Sequence, residues 1–204
     1  MRILGLTGDI AAGKSTVARQ LESLGAEVLD SDKLVHELYS DPAFGAQVAV
    51  LFAEPVLDED GAVDRRALGA VVFRDPEALS RLERLVHPAV ADLRARRVAE
   101  LRARLAPPPA VVLEAVKLLE SGGAVECDEI WCVVCRPEVA MERLTKNRHM
   151  SRIQALERLA AQPPRATKLA LAGNVPLVWI ENSAPEADLE ALVPREWRRF
   201  LAKQ

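Results

Sequence analysis

Gly8-Asp9-Ile10-Ala11-Ala12-Gly13-Lys14-Ser15 fits the pattern Gly-x-x-x-x-Gly-Lys-Ser/Thr, and it constrains the fold more than any other segment of the chain. The pattern has a mechanical meaning only where a strand runs into a helix. Both flanks meet that demand. Arg2 to Thr7 is a short apolar run that reads as a buried strand. From Lys14 to Leu24, Val17, Ala18, Leu21 and Leu24 recur at helical spacing, and Gly25 is the candidate C-cap. Glycines let the chain bend tightly, so that backbone N–H groups converge at the positive end of the helix and form an anion site. In such a site Gly8, Ala11, Ala12 and Gly13 surround a phosphate. Lys14 reaches the β- and γ-phosphates, the Ser15 hydroxyl binds Mg²⁺, and Thr16 meets the α-phosphate. The plain alternative is an ordinary strand-to-helix turn. Composition alone produces the full pattern in about one chain in a hundred of this length.

The rest of the chain alternates strand and helix. Ala26–Asp30, Ala110–Leu113, Glu129–Cys135 and Leu177–Glu181 read as further strands. Helical patterns cover most of 42–106, with turns expected at 58–61 and near His87-Pro88, and 107–109 is a proline stop. A short helix is expected to follow the third strand as far as Glu120. Helices are also expected over 138–148 and 152–161, and from about Glu186 to Ala202, with a possible restart after Pro194. This alternation predicts an α/β fold with a parallel five-stranded sheet. Two helical stretches interrupt the alternation and are expected to stand beside the sheet.

Composition removes several classes of function. Half of the 204 residues are hydrophobic and the net charge is −3, so a packed core is expected, and no overall basic excess points to nucleic acid or membrane. Aromatic residues are 4%, too few for a base-stacking platform. No apolar run is long enough to span a bilayer, and no secretory pattern opens the sequence, so a cytoplasmic location is expected. Cys132 and Cys135 lie three apart on a predicted strand, facing opposite sides, and read with Cys127 as small hydrophobes rather than metal ligands.

A phosphate loop implies a nucleotide but not a reaction. A guanine-reading Asn-Lys-x-Asp is absent: Thr145-Lys146-Asn147-Arg148 has the wrong order. Leu119 to Ala124 only grazes the Leu-Ser-Gly-Gly-Gln signature of transport ATPases. Small-molecule kinases fit better. They need an acceptor-binding insertion after the second strand and a late, arginine-rich lid. Asp30-Ser31-Asp32 ends the second strand, where a carboxylate can take a proton from an attacking hydroxyl; either aspartate could instead cap the next helix, as could Ser31.

With these residues in view, the chain resembles the dephospho-CoA kinases over most of its length. The resemblance rests on Leu6 to Val17, on Asp30 to His36, on Gly61-Ala62-Val63-Asp64-Arg65-Arg66-Ala67-Leu68, on Val72-Phe73, Leu82-Glu83 and His87-Pro88, and on Arg143-Leu144 through Arg148, Arg158, Ala161-Gln162 and Ile180-Glu181-Asn182. It implies a three-layer P-loop kinase fold, with the loop-bearing strand near the centre of the sheet. The nucleotide-binding core would comprise 1–30, 107–137 and 166–204, the helical acceptor insertion 31–106, and the lid 138–165. The implied reaction is transfer of the ATP γ-phosphate, with Mg²⁺, to the ribose 3′-hydroxyl of dephospho-CoA; another small-molecule or nucleoside monophosphate acceptor is the alternative. The implied roles are Asp32 as base on the acceptor side, Lys14 and Arg148 on the phosphates, Arg65 and His87 on the CoA end, and Asn182 near the adenine. A monomer or small homo-oligomer is expected, with no nucleic acid or membrane partner. Glu114 to Glu120 departs from the family's Pro-Leu-Leu-Phe-Glu segment, and Glu114 is a candidate for the metal's water shell. Plainer readings stand beside these. Arg65 and Arg66 could be solvated helix-start charges, His87 a helix-terminus cap, and the arginines between 143 and 165, Arg148 apart, partners of Glu142 and Glu157.

Overall fold

A computed structural model of the chain describes residues 1–183 and 186–203. Its strands are β1 (Arg2–Gly8), β2 (Glu27–Asp30), β3 (Ala110–Glu114), β4 (Glu129–Val134) and β5 (Leu177–Glu181). Its helices are α1 (Lys14–Ser23), α2 (Ser31–Tyr39), α3 (Pro42–Ala49), α4 (Arg65–Arg74), α5 (Pro76–Arg102), α6 (Pro137–Lys146), α7 (Arg152–Ala160), α8 (Arg165–Ala172) and α9 (Glu186–Ala202). Among the described residues, no helix is long and apolar enough to cross a membrane.

The five strands form one sheet in the order β2-β3-β1-β4-β5. β1 is the middle strand, as expected, pairing in parallel with β3 and β4. Period-2 alternation in these strands sends Leu4, Leu6, Val112, Trp131, Val133 and Ile180 into one core. There they meet Val17, Ala18 and Leu21 of α1, and Leu189, Val193, Trp197 and Phe200 of α9. Burial on both faces explains why β3 and β4 read as unbroken apolar runs.

The chain divides into two compact units, Met1–Leu29 with Arg102–Gln204, and Asp30–Leu101. The second has its own core, built from Leu34, Phe44, Val48, Leu68, Val71 and the inner face of α5. Asp30 caps α2, its carboxylate accepting from the N–H groups of Asp32 and Lys33. Asp30 thus takes the capping role that the sequence also offered to Ser31 and Asp32.

Three local expectations are corrected. First, α5 runs unbroken through Pro88, where a turn was expected. An interior proline costs about 3 kcal/mol, and burying Leu82, Val86, Val90 and Leu93, at roughly 1.5–3 kcal/mol each, outweighs it. α9 likewise continues through Pro194. Second, no α-helix follows β3. The chain makes successive turns from 116 to 122 and a short 3₁₀ helix at Gly123–Glu126. The Thr7 hydroxyl donates to the Val116 carbonyl (3.1 Å), and Leu118 and Leu119 are both buried, so contacts with β1 and the core shape this segment. Third, α8 has no counterpart among the expected elements.

One buried charge cluster fastens the end of α9. Glu129, only 1% exposed, accepts from Trp131 (2.9 Å), Lys203 (2.8 Å) and both terminal nitrogens of Arg199. Burial by itself would raise the Glu129 carboxyl, but hydrogen bonds from Arg199, Lys203 and Trp131 outweigh it and hold the group down to about 2, from the ordinary 4.5. A carboxyl lowered in the folded state stabilises fully above its unfolded value and loses that contribution as pH falls. Glu129→Gln is therefore expected to cost about 2–3 kcal/mol at neutral pH. In urea melts over a pH series, the variant should also lose less stability than the parent on acidification from 4.5 to 2.

Candidate functional site

The loop between β1 and α1 has an unusual backbone. Ala11 (φ 59°) and Gly13 (φ 96°) are both left-handed. Left-handed residues alternating with ordinary ones turn successive N–H groups toward a common centre, an anion-binding nest. The nest opens onto the first turn of α1, whose leading N–H groups have no partner within the helix. An alanine in this region costs on the order of 1 kcal/mol, so Ala11 must be held from outside. Gly8 and Gly13 are demanded sterically as well. A Cβ on Gly8 would come within 2.6 Å of the Val133 carbonyl, and one on Gly13 would strike the Asn182 amide nitrogen.

Four side chains from distant parts of the chain hold the loop, one at each residue. Lys168 on α8 forms an ion pair with the Asp9 carboxylate. Gln162 accepts from the Ile10 N–H through its Oε1 (3.0 Å). Arg143 on α6 donates to the Ala11 carbonyl (3.1 Å) and to the Asn182 carbonyl (3.2 Å). Asn182, buried just beyond β5, donates from its Nδ2 to the Ala12 carbonyl (2.7 Å). All four bind atoms at residues 9 to 12 and leave the N–H groups of Lys14 and Ser15 free of side-chain contact.

Lys14 lies beside the C-terminal end of β3, its Nζ 2.5 Å from Oε1 of Glu114. Both side chains are largely buried, so the lysine charge is neutralised before any phosphate arrives. Ser15 is exposed in the first turn of α1, and Thr16 begins the helical ladder by donating from its N–H to the Gly13 carbonyl (3.0 Å). The structure thus brings together Gly8, Ala11, Ala12, Gly13, Lys14, Ser15, Thr16 and Asn182. The Asn182 amide nitrogen, expected near an adenine, is committed to the loop instead. Arg148 is exposed beyond the end of α6, and among the described residues it makes no hydrogen bond or ion pair. Burial pushes the Cys132 thiol up to about 11, so it stays protonated at neutral pH.

Asp32, Arg65 and His87 belong to the second unit. Asp30 spends its carboxylate on the α2 cap, accepting from the Asp32 N–H at 2.9 Å. Asp32 is exposed in the first turn of that helix and, among the described residues, engages its carboxylate in no bond. Arg65 is exposed at the start of α4, with a guanidinium nitrogen 3.5 Å from His36 Nδ1. His87 is exposed within α5 rather than at a helix end, which removes its reading as a terminal cap.

All four holding side chains escaped sequence reasoning in this role, Asn182 having been expected near an adenine. Arg143 was expected to pair on the surface with Glu142, but Lys146 takes Glu142 (2.8 Å) and Arg143 turns to the loop. Gln162 resembled part of a lid, and Lys168 stood in no motif. No local signal marks them, because each acts on a residue more than a hundred positions away.

Comparisons with known proteins agree with this geometry. The family profile described as dephospho-CoA kinase matches residues 2–188. A dephospho-CoA kinase of Geobacter sulfurreducens is 42% identical over 203 residues, covering 98% of this chain and all of that protein. Among solved structures, a protein of Thermus thermophilus termed TT1252 superposes with a TM-score of 0.75 at 34% identity, covering 97% of each chain. The dephospho-CoA kinase of Campylobacter jejuni superposes at 0.69 with 23% identity, covering 97% of this chain and 96% of that one, a likeness of fold.

Gly13→Ala adds a methyl group where the backbone is left-handed and the Asn182 amide already sits. It is expected to destabilise the chain by about 2 kcal/mol or more. Thermal melting checks this, with Gly122→Ala as the control: that position is also left-handed (φ 77°, ψ 8°), but an added Cβ meets nothing within 4 Å.

Proposed function

The chain belongs to the dephospho-CoA kinase family, and from that premise we propose that the loop from Gly8 to Thr16 holds the ATP phosphates while Asp32 activates the acceptor. The enzyme phosphorylates dephospho-CoA to CoA, with ATP as donor. The acceptor atom in our reading is the ribose 3′-hydroxyl oxygen. That oxygen attacks the γ-phosphorus in line, its proton passes to the Asp32 carboxylate, and the bond from the γ-phosphorus to the β–γ bridging oxygen breaks to release ADP. There is little covalent chemistry for the protein to perform, so the rate comes from positioning and charge.

The observation that carries this reading is the braced nest itself: left-handed Ala11 and Gly13, the helix start behind them, and Lys14 beside them. Lys14 leaves Glu114 for the transferring phosphoryl group and balances its charge. The oxygen donors here, the Ser15 hydroxyl and the Glu114 carboxylate, suit Mg²⁺, which binds few protein ligands and keeps waters and substrate phosphates. When bound, the ion would neutralise phosphate charge, with Ser15 as ligand and Glu114 on its water shell. Between the two aspartates, Asp32 is the base because Asp30 is occupied by the cap. Arg148, exposed and unengaged, closes over the phosphates from the lid segment and shields them from water. Arg65 and His87 serve the CoA end of the acceptor. Asn182 acts through the loop, on the adenine side of the site. A cytoplasmic monomer or small homo-oligomer is the form this reading takes.

The deciding experiment measures ADP release from Mg·ATP with and without dephospho-CoA, and locates the added phosphate by mass spectrometry. Strong stimulation with one phosphate on the ribose 3′ position is expected; stimulation only by other hydroxyl acceptors would overturn the acceptor assignment. Lys14→Ala is expected to lower kcat by about 10²–10³-fold. Asp32→Asn should lower it by about 10²–10⁴-fold while Mg·ATP still binds, and near-normal turnover would remove Asp32 as the base.

A further inference from the structure

Asp9 is out of place electrostatically. It is the second residue of a loop that binds polyphosphate, and a carboxylate there opposes the charge the loop must attract. Its side chain is 27% exposed and is paired with Lys168, whose side chain is only 8% exposed. A lysine buried to that degree carries a heavy desolvation cost unless an anion meets it, so the two charges depend on each other. Lys168 also comes from α8, shortly after Gln162, which holds the neighbouring Ile10 N–H. The stretch from Gln162 to Lys168 therefore grips the first two variable residues of the loop together.

Charge counting shows what the pair does. Before ATP arrives, the loop region contains two balanced pairs, Lys14 with Glu114 and Lys168 with Asp9. Lys14 can move to the phosphates only if the rest of the loop does not repel them. Without Lys168, the Asp9 charge would be uncompensated beside the site of phosphate binding. We propose that Lys168 is a positioning residue for the kinase reaction: by neutralising Asp9, it makes Mg·ATP affinity depend on the pair rather than on either residue alone. The proposal rests on the reading of the loop as the ATP phosphate site.

Calorimetric titration of the full chain with Mg·ATP, with steady-state kinetics, tests it in Lys168→Met, Asp9→Asn and the double variant. One unpaired charge roughly 10–12 Å from an anion changes affinity on the order of tenfold at the effective dielectric of a protein surface. Lys168→Met is expected to weaken Mg·ATP binding by about that factor, with the KM for dephospho-CoA changed by less than about twofold. Adding Asp9→Asn should restore affinity to within about threefold of the parent, because it removes the charge that Lys168 had balanced. A double variant as weak as Lys168→Met overturns the proposal, since Lys168 would then meet the nucleotide itself or merely support the fold. Unchanged affinity in Lys168→Met overturns it too. Should Lys168→Met fail to fold, Asp9→Asn alone still decides: equal or tighter Mg·ATP binding is expected, and weakening beyond about threefold sinks the idea. Failure of the underlying ATP reading would appear separately, as absent Mg·ATP binding by the parent chain.

Discussion

Backbone N–H groups that point at an anion cannot also donate to backbone carbonyls, so a loop shaped to bind phosphate gives up the hydrogen bonds that would hold it. In this chain the loss is met from outside. Lys168 holds Asp9, Gln162 holds Ile10, Arg143 holds the Ala11 carbonyl and Asn182 holds the Ala12 carbonyl. The left-handed Ala11 shows the effect most clearly, since an alanine does not settle there unaided. The part of the chain after β4 thus gives the loop its shape.

A second theme is the division of work between neighbouring carboxylates. Asp30 and Asp32 are two residues apart and chemically identical, yet one accepts from the α2 N–H groups and the other faces solvent unengaged. Glu114 and Glu129 differ in the same way at opposite ends of neighbouring connections. Glu129 is locked by Arg199, Lys203 and Trp131 and belongs to the fold. Glu114 has Lys14 as its partner, a cation with a competing attraction once phosphate is present. Both glutamates are buried, and they differ in their partners: Glu129 is met by Arg199, Lys203 and Trp131, and Glu114 by Lys14 of the loop.

Much of this was legible in the sequence. The loop, its strand and its helix are contiguous, and contiguous chemistry leaves a pattern. The apolar strands could be read from hydrophobic runs, and the central place of β1 from the family resemblance. Misreadings came where tertiary contacts overrode local preference. His87-Pro88 looks like a helix boundary, but the apolar face on both sides of Pro88 keeps α5 continuous. The segment after β3 has helical composition, but Thr7 and the core draw it into turns. Arg143 and Lys168 look like surface charges in any window of sequence. Their targets lie at the other end of the chain, and no local pattern carries that information.

The order of the strands has a consequence for how the protein is made. β1 is the first element synthesised, yet both of its neighbours, β3 and β4, come from after Pro109. Between them lies Asp30–Leu101, a continuous segment with a core of its own. A nascent chain leaving the ribosome can therefore complete the inserted helical unit while the first strand waits, apolar and unpaired on both edges. The loop waits with it, since Arg143, Gln162, Lys168 and Asn182 are made later still. β1, translated before the strands that flank it, is among the last elements to acquire its structure, and during that interval it is the segment most exposed to mispairing.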